Sequence, residues 1–198
     1  MTQSNLTELS AVYTGMPQRR RDPSAVIESI DNEKSTQQLL ISLGLRAKAA
    51  GLRIATAESC TGGLIAALCT SSGGSSDWFD CGLVVYSSSA KQRLLNVSHT
   101  VIVHYGLVSE PVARDMALGA LLQSTANVSV AVTGVAGPSG GDIGTPVGTV
   151  WFAWARRSSS TEAPEVQQTS EYLFTGDRSS IRRQAALTAI RGLINIIG

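Results

Sequence analysis

Residues 52–63 read Leu-Arg-Ile-Ala-Thr-Ala-Glu-Ser-Cys-Thr-Gly-Gly, a short apolar run that passes directly into a turn of small residues. The spacing predicts a strand over 52–57 and a helix from Gly63 to Thr70 behind the turn. A strand that feeds a helix through so short a link points to an α/β fold. The turn also sets Ser59 at a helix N-terminus, where free backbone N–H groups and the helix dipole favour negative charge. Two uses stay open at this point. The helix end can receive an anion, or it can stabilise an oxyanion formed when Ser59 attacks a carbonyl.

The rest of the chain repeats the alternation. A helix is expected over Ser35 to Ala50, with Leu39, Leu40, Leu43 and Ala47 on one face and Gly51 as the stop. Leu83 to Tyr86 is β-branched and too short for a helix, so it reads as a buried strand. Ser87, Ser88 and Ser89 offer cap oxygens to a helix containing Lys91, Leu94 and Leu95. Ser109 is the expected cap of a long helix that tolerates Pro111 in its first turn and repeats Val112, Met116 and Ala120. Val128 to Val132 reads as a further buried strand, and a glycine-rich loop runs from Gly134 to Gly148. Two strands, about 147–156 and 166–174, are joined by the polar stretch Ser158 to Pro164 with no room for a helical crossover, which implies a hairpin and hence a mixed, mostly parallel sheet. Asp177 caps a last helix that turns Ile181, Ala185, Leu187, Ile190, Leu193 and Ile194 inward. Residues 1–34 are polar and lack this periodicity, so they read as a flexible N-terminal extension to one domain over 35–198.

Composition narrows the function. A net charge of +1 and an aromatic content of 5% give no electrostatic or stacking case for nucleic acid. No apolar run reaches the ~18 residues of a membrane span, and no apolar segment follows Arg19-Arg20-Arg21, so neither a membrane nor a secretory reading holds. Cys60, Cys69 and Cys81 are odd in number and lack metal spacing, which suggests free thiols in a reducing cytoplasm. His99 and His104 lie on a mixed segment, and no metal site is expected from them.

Ser59, Tyr86 and Thr133 each follow a strand, and ligands of open α/β sheets sit at the carboxyl ends of strands. Lys91, five residues past Tyr86, is the nearest candidate base. A serine hydroxyl needs a base to become a nucleophile, and a lysine serves only when burial or nearby cations bring its pKa down. Taken singly, Ser59 reads better as a helix cap and Lys91 as a solvated lysine. Cys60 is an alternative nucleophile. The stretch from Thr133 and Gly134 to Gly141 either brings backbone N–H groups to a phosphate or is a surface loop. It lacks the Gly-Lys-Ser/Thr ending of a P-loop. Arg178, after Gly176-Asp177, suits bidentate phosphate contact.

In combination the motifs resemble the CinA C-terminal domain family, the nicotinamide-nucleotide amidohydrolases. The resemblance rests on Ala57-Glu58-Ser59-Cys60-Thr61-Gly62-Gly63, Gly82-Leu83-Val84-Val85-Tyr86-Ser87 with Ala90-Lys91, and Tyr105-Gly106-Leu107-Val108-Ser109-Glu110. It continues with Thr133-Gly134-Val135-Ala136-Gly137-Pro138, Pro146-Val147-Gly148-Thr149-Val150 and Gly176-Asp177-Arg178. It implies a three-layer α/β/α sandwich of stand-alone form and hydrolysis of the carboxamide of nicotinamide mononucleotide to nicotinate mononucleotide and ammonia. It also implies a homo-oligomer, a small-molecule nucleotide as the partner, and no cofactor or metal. Ser59 would be the nucleophile, Lys91 its base and Tyr86 an assistant. Thr61, Gly62, Ser76, Thr133, Gly134 and Arg178 would contact substrate. Two positions depart from the family's usual text: Thr145 stands where a Lys is common, and Gly73-Gly74 replaces Pro-Gly. A non-catalytic nucleotide-binding or regulatory module of the same fold is the alternative.

Overall fold

A computed structural model describes residues 33–140, 144–159 and 162–198. The expected extension lies outside them except for Glu33 and Lys34, which already belong to the first helix. In chain order the elements are α1 (Glu33–Ala49), β1 (Ile54–Glu58), α2 (Leu64–Cys69), a 3₁₀ turn (Ser75–Asp77), β2 (Phe79–Val84), α3 (Ser88–Leu95), α4 (His99–Tyr105) and α5 (Glu110–Leu122). They continue with β3 (Val128–Gly134), β4 (Thr149–Arg156), β5 (Glu165–Leu173) and α6 (Arg178–Ile197).

The strands form one sheet in the order β2-β1-β3-β4-β5. β1 pairs in parallel with β2 and β3, while β4 is antiparallel to both β3 and β5. The sheet is therefore mixed, and the hairpin expected from the helix-free β4–β5 link is present. Apolar side chains cover both faces. On one face Ile54, Val128, Val130, Val132, Phe152 and Trp154 pack against α1, α2 and α6. On the other, Ala55, Ala57, Ala131, Ala153 and Ala155 form a floor of small side chains under α3, α4 and α5. Small residues let a helix approach the sheet closely. Val112, Ala113, Met116, Ala117 and Ala120 of α5 are buried there, on the expected face. The result is a three-layer α/β/α sandwich.

Two local expectations are adjusted and one helix is added. The second strand is Phe79–Val84, not the run Leu83 to Tyr86, and it is half-buried rather than buried. It is an edge strand with a single neighbour, so its pairing with β1 sets its limits more than its own apolarity does. α4 emerges from the mixed histidine segment, with the Ser98 hydroxyl accepting from the Val101 amide. Ser109 stands at the N-cap of α5 as expected, but its hydroxyl makes no cap bond and donates instead to the Gly106 carbonyl at 2.9 Å.

Candidate active site

The link leaving β1 enters α2 on one face of the sheet, and the link leaving β2 enters α3 on the other. Adjacent strand ends whose connections part in this way open a crevice. Ser59 stands at its floor. The Ser59 amide donates to the Val132 carbonyl at 3.0 Å, and the Val85 amide donates to the Glu58 carbonyl at 2.8 Å, so the end of β1 is tied to both neighbours. The Gly62 amide donates back to the Ser59 carbonyl at 3.1 Å and closes the turn. Gly62 and Gly63 hold φ of +61° and +91°, a left-handed backbone that favours glycine.

The expected free amides at the start of α2 are largely taken. Glu58, fully buried, accepts from the Gly63 amide at 2.9 Å, the Ile65 amide at 3.1 Å, the Ala66 amide at 2.8 Å and the Thr56 hydroxyl at 3.2 Å. Its carboxylate, not a ligand, complements the helix dipole. Gly62 is also engaged, so among the described residues Cys60 and Thr61 carry the turn amides with no main-chain or carboxylate oxygen as acceptor, and both bear on the Cys60 sulfur. Sequence reasoning missed the role of Glu58. Its signal was an acidic residue inside a strand and just ahead of a helix start.

Lys91 projects from α3, whose start is capped by the Ser87 hydroxyl accepting from the Ala90 amide at 3.1 Å. Lys91 is 1% exposed, and its Nζ lies 2.8 Å from Ser59 Oγ, 2.9 Å from the Val85 carbonyl and 3.2 Å from the Tyr86 carbonyl. All three neighbours are uncharged, and burial lowers the Lys91 pKa from 10.5 to about 8, slightly opposed by the adjacent Cys60. In its neutral form the amine donates to the two carbonyls and keeps its lone pair for the Ser59 hydroxyl. The two residues are 32 apart in sequence.

The crevice holds a cavity of about 240 Å³ bounded by Ser59, Cys60, Tyr86 and Lys91 on one side, Leu107 and Val108 on another, and Thr133 to Gly137 with Ser139, Gly140 and Arg178 opposite. Its charged lining is Lys91 and Arg178, with no carboxylate among the described lining residues, which suits an anionic ligand. Thr133 donates its hydroxyl to the Leu107 carbonyl at 2.8 Å and so holds the wall that Leu107 and Val108 form. Gly134 is required by close packing, since a Cβ there would lie 2.7 Å from the Thr149 carbonyl oxygen. One Arg178 nitrogen donates to the Gly137 carbonyl at 2.8 Å, which stations the guanidinium over the glycine-rich loop.

Other expected site residues are placed differently. Tyr86 borders the cavity, but its contact with Lys91 is through its carbonyl, and the residue is 63% exposed. Thr61 and Gly62 lie in the turn outside the cavity lining. The Thr61 side chain is fully buried, and Gly62 leaves room for Arg182, whose Nη2 would lie 3.2 Å from a Cβ there. Ser76 is exposed on the 3₁₀ turn ahead of β2, at the opposite end of the sheet from Ser59. Cys60 sits in the core beneath α1 and α6, and burial pushes its thiol up to about 12, far from a thiolate at neutral pH. Among the described residues no cluster of three or more His, Cys, Asp or Glu side chains could hold a metal ion, and no helix is long and apolar enough to cross a membrane.

The CinA C-terminal domain matches residues 36–197, the whole of the sandwich. The chain belongs to this family. It is 46% identical over 167 residues to nicotinamide-nucleotide amidohydrolase PncC of Enterobacter agglomerans, covering 82% of this chain and 98% of that one. The protein of the same description from Escherichia coli K12 is 42% identical over 161 residues, covering 81% and 94%. The CinA fold is equally clear in three dimensions. The crystal structure of competence/damage inducible protein CihA from Agrobacterium tumefaciens superposes with a TM-score of 0.76 at 39% identity, covering 81% of this chain and 94% of that one.

Proposed function

We propose that this CinA-family chain is an amidohydrolase that converts nicotinamide mononucleotide to nicotinate mononucleotide and ammonia. The observation that carries the reading is the 2.8 Å contact between the buried Lys91 amine and the Ser59 hydroxyl, beside a cavity that Arg178 lines and that has no carboxylate among its described lining residues. Neutral Lys91 takes the Ser59 proton as Oγ attacks the carboxamide carbon. The amides of the turn after Ser59, Cys60 and Thr61, are the donors that the developing oxyanion would draw on. As the tetrahedral species collapses, the Lys91 ammonium returns the proton to the departing nitrogen, ammonia leaves, and a Ser59 acyl ester remains. Lys91 then accepts a proton from water as it attacks the ester and passes it to Ser59 Oγ as the acyl–oxygen bond breaks, which releases nicotinate mononucleotide and restores the Ser59 hydroxyl and the neutral amine. The Tyr86 carbonyl, with that of Val85, orients Nζ throughout. Arg178, with one nitrogen fixed on Gly137, has others left for the phosphate.

The exposure of Val84 (48%) at the end of the edge strand β2 and of Tyr86 (63%) just past it supports assembly into a homo-oligomer. A strictly monomeric sedimentation profile at micromolar concentration speaks against that. The test of the reaction is ammonia release from nicotinamide mononucleotide. Ser59→Ala and Lys91→Ala should each lose at least ~10³-fold in kcat, and unchanged kcat in either removes the role assigned to it. Nucleotide binding by the wild type without ammonia release would favour a non-catalytic binding module instead.

A further inference from the structure

The turn that carries Ser59 is gripped from two sides by charged side chains outside the reacting pair. From within, the Glu58 carboxylate takes three amides at the start of α2, Gly63 and Ile65 on one oxygen and Ala66 on the other, with Thr56 sharing the second. From α6, Arg182 Nη2 donates to the Thr61 carbonyl at 2.7 Å, across 121 residues of sequence. The same carbonyl accepts from the Leu64 amide at 3.3 Å, while the Gly62 amide of that peptide donates to Ser59. The Thr61–Gly62 peptide is thus held at both ends, which fixes the path of the turn between Ser59 and α2.

Two features show that the Arg182 grip is specific. Gly62 leaves the space its guanidinium fills, since a Cβ there would crowd Nη2 at 3.2 Å. Arg182 Nε is buried with no acceptor among the described residues, a cost that an idle surface arginine would avoid by turning to water. Both glycines of the turn have positive φ and resist drift poorly by themselves, so an external brace matters more here than in a stiffer turn.

We propose that Glu58 and Arg182 are positioning residues that brace the nucleophile turn, holding Ser59 Oγ on Lys91 and the Cys60 and Thr61 amides on the site of the oxyanion. The role rests on the Ser59–Lys91 pair of the proposed reaction but not on the identity of the amide cleaved. Neither residue lines the cavity, so the brace acts on the chemical step rather than on binding. A displacement of about 1 Å at such a centre costs about 100-fold in rate.

The experiment uses the full chain and two readouts: ammonia release from nicotinamide mononucleotide, and the rate at which a fluorophosphonate labels Ser59, which needs no amide substrate. Arg182→Gln should lower kcat and the labelling rate together by about tenfold, with KM within twofold and an unchanged melting transition. Arg182→Lys, which keeps a donor able to reach the carbonyl, should recover most of the loss. Glu58→Gln presents an amide NH₂ to at least one of the helix amides and should cost about 100-fold in both readouts. If Glu58→Gln does not fold, the Arg182 pair decides. A folded Arg182→Gln with wild-type kcat and labelling overturns the inference, as does a loss confined to KM or one that Arg182→Lys does not restore. A wild type that labels at Ser59 but releases no ammonia refutes the proposed substrate and leaves the brace to be judged by labelling. A wild type in which Ser59 does not label removes the premise and overturns the inference.

Discussion

The base in the proposed reaction is a lysine, and its ordinary pKa would make it useless near neutrality. Lys91 is 1% exposed with uncharged neighbours at each of its three contacts, and burial brings it from 10.5 to about 8. At pH 7 about a tenth of the folded protein then carries the neutral amine, about 300-fold more than an unshifted lysine would supply. Because kcat/KM reports the free enzyme, it should rise tenfold per pH unit from pH 6 to about 7.5 and level off above an inflection near pH 8. The assay is ammonia release at subsaturating nicotinamide mononucleotide from pH 6 to 9.5. The same shift acts on stability with a definite sign. Between about pH 8 and 10.5 the unfolded chain binds more protons than the folded one, so stability rises with pH across that window. The penalty of burying the charge, about 3 kcal/mol, is fully present below about pH 8. That slope should vanish in Lys91→Met. A flat kcat/KM profile, or an inflection above pH 10, would refute the claim that burial creates the base.

Further outcomes follow from single contacts. Arg178→Ala should raise KM for nicotinamide mononucleotide about 10- to 100-fold, while wild type and variant should match on the riboside lacking the phosphate; equal losses on both would place Arg178 elsewhere in the reaction. Cys60→Ala should keep kcat within about threefold, since its thiol is held near 12 in the core; a folded but inactive variant would revive the thiol as nucleophile. Gly148→Ala should lose at least about 2 kcal/mol in urea denaturation, because φ is +97° and a Cβ would overlap the Phe174 carbonyl oxygen. A midpoint within experimental error of wild type would show that the β4 entry can move aside.

Elements with strong local signals were legible. The repeat of Val112, Met116 and Ala120 gave α5 its buried face, and Asp177 caps α6 as expected, its carboxylate accepting from the Ser180 amide at 2.8 Å. The β4–β5 hairpin followed from a link without a helix. β2 was misjudged because an edge strand takes its limits from a partner, and α4 because seven residues of mixed polarity carry too little periodicity. The turn reads as a source of free amides when Ser59 is considered alone; an acidic residue at the end of a strand and just ahead of a helix is the local signal that the Glu58 side chain folds back onto that helix.

Read alone, the chain established the alternation of strand and helix, the glycine turn behind Ser59, and the motifs that mark its family, since each is written in neighbouring residues. It took the folded sandwich to bring Lys91 onto Ser59, to dry that amine, and to send Arg182 across 121 residues to the Thr61 carbonyl. Those meetings depend on the strand order 2-1-3 and on helices packed to opposite faces. No residue's immediate neighbours encode its distance to a residue on another strand, nor how much water the finished core leaves around it.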